Sequence, residues 1–185
     1  MNKKTSKIRG FTLIELMVSI SIFSIIMLVG MGSILQVFGI NEKSQTLRAV
    51  MDNLNFTLED MTRSIRFGSS YHCGSGDPAF PQDCLSGATM LTVKASDGST
   101  IQYKRVVTGG IGTIVRLVGA GADEALTSPD VDITALTFFV LGATVVGDIY
   151  QPRVVMVVSG LAGKKNATKT AFTLETTVSQ RMFDF

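Results

Sequence analysis

From Phe11 to Ile40 the chain carries one charge, Glu15, inside an otherwise apolar run. About 20 apolar residues cross a bilayer as a helix, and Leu16 to Leu35 supplies them. A transmembrane segment is therefore expected at about residues 12–36. Lys3, Lys4, Lys7 and Arg9 all precede the run, and basic residues hold their side of a span in the cytoplasm. The bulk of the chain then lies outside the cytoplasm. A carboxylate at membrane depth costs a few kcal/mol, so Glu15 needs a physical reason to be there. Gly30, Gly32 and Gly39 in or just past the span either let neighbouring helices approach or are merely tolerated.

Charge outside the leader is balanced. Of 17 basic residues, four lie in the first ten, which leaves 13 against 15 acids, a net of about −2. The excess of positive charge thus belongs to the N-terminus, and no nucleic-acid binding is evident. With 45% hydrophobic and 17% charged residues, the 185-residue chain has enough material beyond the span for one modest folded domain.

No proline interrupts Phe11 to Phe67. Leu47, Met51, Leu54, Leu58, Met61 and Ile65 recur at steps of four and three, the narrow apolar seam of an amphipathic helix. One continuous helix over 11–67 is expected, roughly 85 Å long, ended by Gly68-Ser69-Ser70. Residues 68–88 are read as a cysteine-containing loop. After it the period becomes two. Strands are expected at Thr89–Ala95, Thr100–Val107, Gly112–Val118, Asp132–Leu141, Pro152–Gly160 and Thr170–Arg181. Asp97-Gly98 marks a hairpin between the first two, and residues 161–170 mark one between the last two. Leu136 is the expected site of a register slip. The strand at Pro152–Gly160 is apolar on both faces and is expected to be central or covered. With no helical crossover the sheet is mainly antiparallel, so the fold class is α+β: a long N-terminal helix, half transmembrane and half amphipathic, packed on a sheet head at 89–185.

Cys73 and Cys84 flank a Gly-, Pro- and Asp-rich interval. Outside the cytoplasm two such cysteines read as a disulfide, contributing about 3 kcal/mol. The rival is a metal site of His72, Cys73, Asp77, Asp83 and Cys84, whose spacing follows no recurring ligand pattern. Nothing looks catalytic. His72 has no nucleophile partner and is expected in solvent, and Glu59 and Asp60 are expected on a solvated helix face. Asp123, Glu124, Asp130 and Asp132 would suit calcium chemically, without a ligand-loop spacing. Asn55-Phe56-Thr57 and Asn166-Ala167-Thr168 fit the glycosylation triplet and read as chance. No cofactor is expected.

The stretch "RGFTLIELM", with its basic leader, Gly10, Phe11, "TLIE" and apolar run, resembles the N-terminus of type IV pilins and of type II secretion pseudopilins. The resemblance is strong over about the first 40 residues and beyond them is one of architecture, a long helix leading into an antiparallel sheet; "LNFTLEDMTRSIR" and "TLETTVSQR" look like minor pilins and J- or W-type pseudopilins. It implies that a prepilin peptidase removes residues 1–10 by cutting between Gly10 and Phe11 and then N-methylates Phe11. It also implies other pilin or pseudopilin subunits, an inner-membrane assembly platform and lipid as partners, and a filament as the final location. The family's acid pairs with the new amine of a neighbouring subunit, which gives Glu15 a role in assembly. Glu15 could instead pair with Phe11 of its own chain or sit in the favourable field of the helix dipole. Cys73 and Cys84 depart from the usual major-pilin disulfide, which lies near the C-terminus.

Three fates of the same N-terminus compete. An uncleaved signal anchor would make a monomeric, membrane-held binding or sensor domain. A secretory signal cut before Ser33 would release a secreted protein, an enzyme class included. Cleavage before Phe11 makes a filament subunit. The fold and function expected are those of the last.

Overall fold

The computed structural model describes residues 10–77, 79–144, 151–163 and 169–181. It falls into two compact units, Met1–Ser44 and Gln45–Phe185, both served by a single helix, α1 (Leu13–Phe67).

The first unit is the N-terminal part of α1. Leu13–Phe38, 26 residues with a mean hydropathy of 2.4, is long and apolar enough to cross a membrane, and none of it is buried by the protein. Its serines do not break it. Ser19, Ser21, Ser24 and Ser33 donate to the carbonyls of Glu15, Met17, Ile20 and Val29, four residues back, at 2.7–3.1 Å. Each hydroxyl is therefore satisfied inside the helix, as a segment without water around it requires. Gly30 and Gly32 have open space around them within this unit.

In the second unit the expected seam of α1 meets the core. Leu54, Leu58, Met61 and Ile65 are buried, and Leu47 and Met51 are partly so. Val50 and Thr57 are buried beside them. Neither was read into the seam, because the apolar stripe is wider than the six residues at steps of four and three. The helix ends where it was expected to, for a packing reason. A Cβ on Gly68 would collide with Val93 Cγ2 and the Ser64 carbonyl, so glycine alone lets the chain leave there. Tyr71 Oη donates to the Ile65 carbonyl at 2.7 Å and Arg181 N to the Arg66 carbonyl at 2.9 Å, which occupies carbonyls that the helix end leaves open.

Nine strands follow among the described residues: β1 (Ser69–Cys73), β2 (Cys84–Ala88), β3 (Met90–Lys94), β4 (Thr100–Thr108), β5 (Ile111–Val118), β6 (Glu124–Ala125), β7 (Val131–Leu141), β8 (Arg153–Ala162) and β9 (Thr170–Ser179). All pair antiparallel. They form two sheets rather than one, in orders β1-β3-β4-β5-β6 and β2-β7-β8-β9. The α+β architecture stands as expected, with the head divided. The reading of 68–88 as loop is corrected: it holds β1 and β2, each five residues long and each in a different sheet. Strands this short leave little period-2 signal, and the partner of β2 is β7, about fifty residues on.

Sheet geometry follows side-chain alternation. Along β8, Val154, Met156 and Val158 are buried while Val155 and Val157 are half-buried. The strand is central in its sheet, between β7 and β9, as its two apolar faces suggested. The slip in β7 lies between Ile133 and Ala135, which lets Ile133 share the buried side with Leu136, Phe138 and Val140 and turns Ala135 outward. The hairpin at Asp97 is closed by its own carboxylate, which accepts from Ser99 N and Oγ at 2.8 and 2.7 Å. The last hairpin loop lies largely outside the described residues.

Candidate functional site

The residues singled out in the sequence fall into two places: the first turn of α1, and the stretch between β1 and β2.

At the helix start, Gly10 and Phe11 are exposed, and a Cβ on Gly10 would meet nothing within 4 Å. The peptide bond between them is thus open to approach. Residues 1–9, the rest of the expected leader, lie outside the described residues. Thr12 is the N-cap. Its Oγ1 accepts from Glu15 N at 3.3 Å, while Thr12 N and Oγ1 donate to Glu15 Oε2 at 3.1 and 3.0 Å. This reciprocal arrangement is a capping box. It satisfies two of the backbone N–H groups that a helix start leaves without partners. It also places the carboxylate in the first turn, where the helix dipole favours negative charge. In the uncleaved chain, where the Phe11 nitrogen is an amide, the bonded neighbour of Glu15 is Thr12. Sequence reasoning passed over Thr12. The signal was present, since Thr-x-x-Glu ahead of an apolar run is the capping-box pattern.

Between β1 and β2, Cys73 and Cys84 form a disulfide with a Cα–Cα distance of 5.8 Å across 11 positions. It joins the end of β1 in one sheet to the start of β2 in the other. The interval is fastened further. Gln82 N donates to the Tyr71 carbonyl at 2.9 Å, and Cys73 N donates to the Gln82 carbonyl at 3.1 Å. His72, expected in solvent, is buried at 7% exposure. Its Nδ1 donates to the Phe80 carbonyl at 2.6 Å; a carbonyl can only accept, so Nδ1 carries the proton. Gly76 lies against the imidazole so closely that a Cβ there would strike Nε2. The local glycine and serine content gave no sign of this, because the burial comes from the loop folding back over the ring.

The rival metal set is not assembled. The two sulfurs are bonded to each other, His72 is held by a carbonyl, and Asp83 accepts from Gly142 N and Ala143 N at 3.2 and 2.7 Å. No group of three His, Cys, Asp or Glu among the described residues is placed to hold a metal.

The remaining acids are spread over different partners. Asp60, expected on a solvated face, reaches Arg116 of β5 at 2.8 Å, and Arg116 also binds Glu124 of β6 at 2.7 Å. Arg116 is held above its ordinary basicity, first by the Glu124 hydrogen bond; burial opposes this, and the charges of Asp60 and Glu124 add to the rise. Asp123 pairs with Lys104 at 3.0 Å. Asp132 accepts from Gly112 N at 2.9 Å and lies 3.8 Å from Lys169. The acidic stretch thus makes separate ion pairs and backbone contacts rather than one cluster. Glu59 does remain on an exposed face, 3.9 Å from Arg63. In the Asn55 triplet, Thr57 is buried, with Oγ1 at 2.9 Å from the carbonyls of both Asn53 and Leu126. The Asn166 triplet lies outside the described residues.

Residues 5–31 match the family model described as the prokaryotic N-terminal methylation motif. The match spans the leader end, the Gly10–Phe11 junction, the capping box and the first part of the apolar span. It supports the type IV pilin and pseudopilin family for this N-terminus. No curated protein and no solved structure matches the chain.

Proposed function

We propose that this chain is the precursor of a filament subunit, a minor pilin or a J- or W-type pseudopilin. A prepilin peptidase cuts it after Gly10, and it is methylated on the Phe11 nitrogen. The single observation that carries this reading is a coincidence of position: the methylation motif at residues 5–31 ends inside Leu13–Phe38, the apolar part of α1 that the protein leaves unburied. Lipid covers that surface before assembly, and neighbouring helices cover it afterwards.

The capping box gives the acid a physical history. In the precursor the Phe11 nitrogen is an uncharged amide, and Glu15 spends its charge on the helix start. Cutting converts that nitrogen to an ammonium, which methylation leaves charged. A carboxylate offers about four lone-pair positions, and the cap uses two. The remaining positions can accept from the amine of an adjacent subunit without uncapping the helix. Breaking a buried ion pair costs about 3–5 kcal/mol, enough to select correctly docked subunits. The head domain stays outside the cytoplasm, displayed on the filament, with the assembly platform of the inner membrane as the other partner.

Substituting Glu15→Gln tests the assembly step. Glutamine keeps an oxygen for the cap but not the charge. Processing and membrane insertion stay normal, while the amount of this chain sheared off with filaments falls at least about tenfold, as expected for the loss of a few kcal/mol. Undiminished incorporation would remove the pairing step from the mechanism.

A further inference from the structure

Among the described residues the two sheets have four edge strands, and they differ sharply. β6 has two residues. β1 and β2 have five each and are interrupted by register shifts. β9 has ten residues, pairs with β8 in unbroken register over all of them, and has no strand on its other side among the described residues. Natural sheets blunt exposed edges with short strands, bulges, proline or lysine. The first three edges use shortness or irregularity. β9, "TAFTLETTVS", has no proline, no basic residue and no bulge.

We propose that the free edge of β9 is a docking site for an extended segment of another protein, which adds to the β2-β7-β8-β9 sheet as a fifth strand. About half of the backbone N–H and C=O groups of a ten-residue strand point away from its one partner, and such a row is a template for strand addition. The side chains state what the segment must look like. On one face Phe172 and Leu174 are only half-buried, so the incoming strand brings apolar residues there. On the other face Thr173, Glu175 and Thr177 are exposed, and Glu175 is the strand's only charge. A lysine or arginine opposite it completes the pair. Pairing β9 with β9 of a second copy would leave Glu175 without a cation, because that strand has none, and the occupant is taken to be a segment of a different protein that brings one. The site rests on sheet geometry and stands apart from the filament reading.

The test uses the full-length chain in detergent micelles and a synthetic ten-residue peptide that alternates valine and threonine with one central lysine. Amide-resolved hydrogen exchange reads β9. Added peptide slows exchange of alternate β9 amides, those facing away from β8, in a saturable way. The same peptide methylated on its outward backbone nitrogens has no effect. Glu175→Gln, an exposed change that leaves the fold intact, weakens binding by roughly 2- to 5-fold, the size of one cross-strand charge pair. The proposal is overturned if the peptide leaves β9 unaffected or if the methylated peptide protects it equally. It is also overturned if those amides are protected without peptide. Protection that vanishes on dilution identifies a second copy as the occupant, and protection that persists identifies the chain's own segment.

Discussion

One helix carries two opposite solutions to the same composition. Leu28 in its first part is 75% exposed and Leu54 in its second part is fully buried. In Leu13–Phe38 the apolar residues go all the way round and the protein covers none of them. From Val50 to Ile65 they keep to a seam that fills the head core. The difference teaches where each part gets its stability. The second part is held by cavities it would leave behind. The first part depends on an environment outside the chain, and inside the chain it needs only closed hydrogen bonds. The serine back-bonds and the Thr12–Glu15 cap provide these.

The comparison breaks most visibly under truncation. Leu54→Ala is expected to destabilise the head by about 2–5 kcal/mol, while Leu28→Ala leaves its melting temperature where it was. Chemical unfolding of the full chain in micelles, read by aromatic signals of the head, measures both. Equal losses would mean that the two parts are not independent. Next in size is the disulfide: Cys73→Ser costs the head about 3 kcal/mol and leaves the span's helicity unchanged. The cap is smaller. Thr12→Val removes the N-cap oxygen and costs about 1 kcal/mol, confined to the first turn, where faster amide exchange would reveal it while the head stays unaffected.

The smallest effect is a pH dependence of the head alone. Burial, the largest influence, pushes the Tyr103 hydroxyl above its ordinary value of 10.0; Asp60 adds to the rise, and Ser64 and Arg116 oppose it. A group raised on folding binds its proton longer in the folded state, so its contribution is complete below the ordinary tyrosine value and is lost as pH climbs past it. Tyr103→Phe should flatten that alkaline decline. An unchanged slope would assign the decline to other groups.

Much of this was legible because it is local. The seam, the Asp97 turn, the two-faced β8 and the glycine at the end of α1 each leave a pattern within ten residues. What escaped depends on distance. The division into two sheets is decided by β2 pairing with β7, which no local period encodes. Asp60 left the solvated face because Arg116, 56 positions away, reaches it. His72 is buried by Gly76 and the Phe80 carbonyl folding over it. At the helix start Glu15 stood out as the one charge in the apolar run, while Gly10 and Phe11 were found by resemblance. Thr12 was missed although its spacing to Glu15 is the plainest capping signal in the chain.

The central claim is that the Gly10–Phe11 bond is cut to expose a cation which Glu15 then neutralises across a subunit boundary. Intact-mass and N-terminal peptide analysis of the protein from its native membrane tests it most directly. The account predicts a chain that begins with N-methylated Phe11. A chain that begins at Met1 would leave an anchored monomer, one that begins at Ser33 a secreted domain, and either result contradicts it.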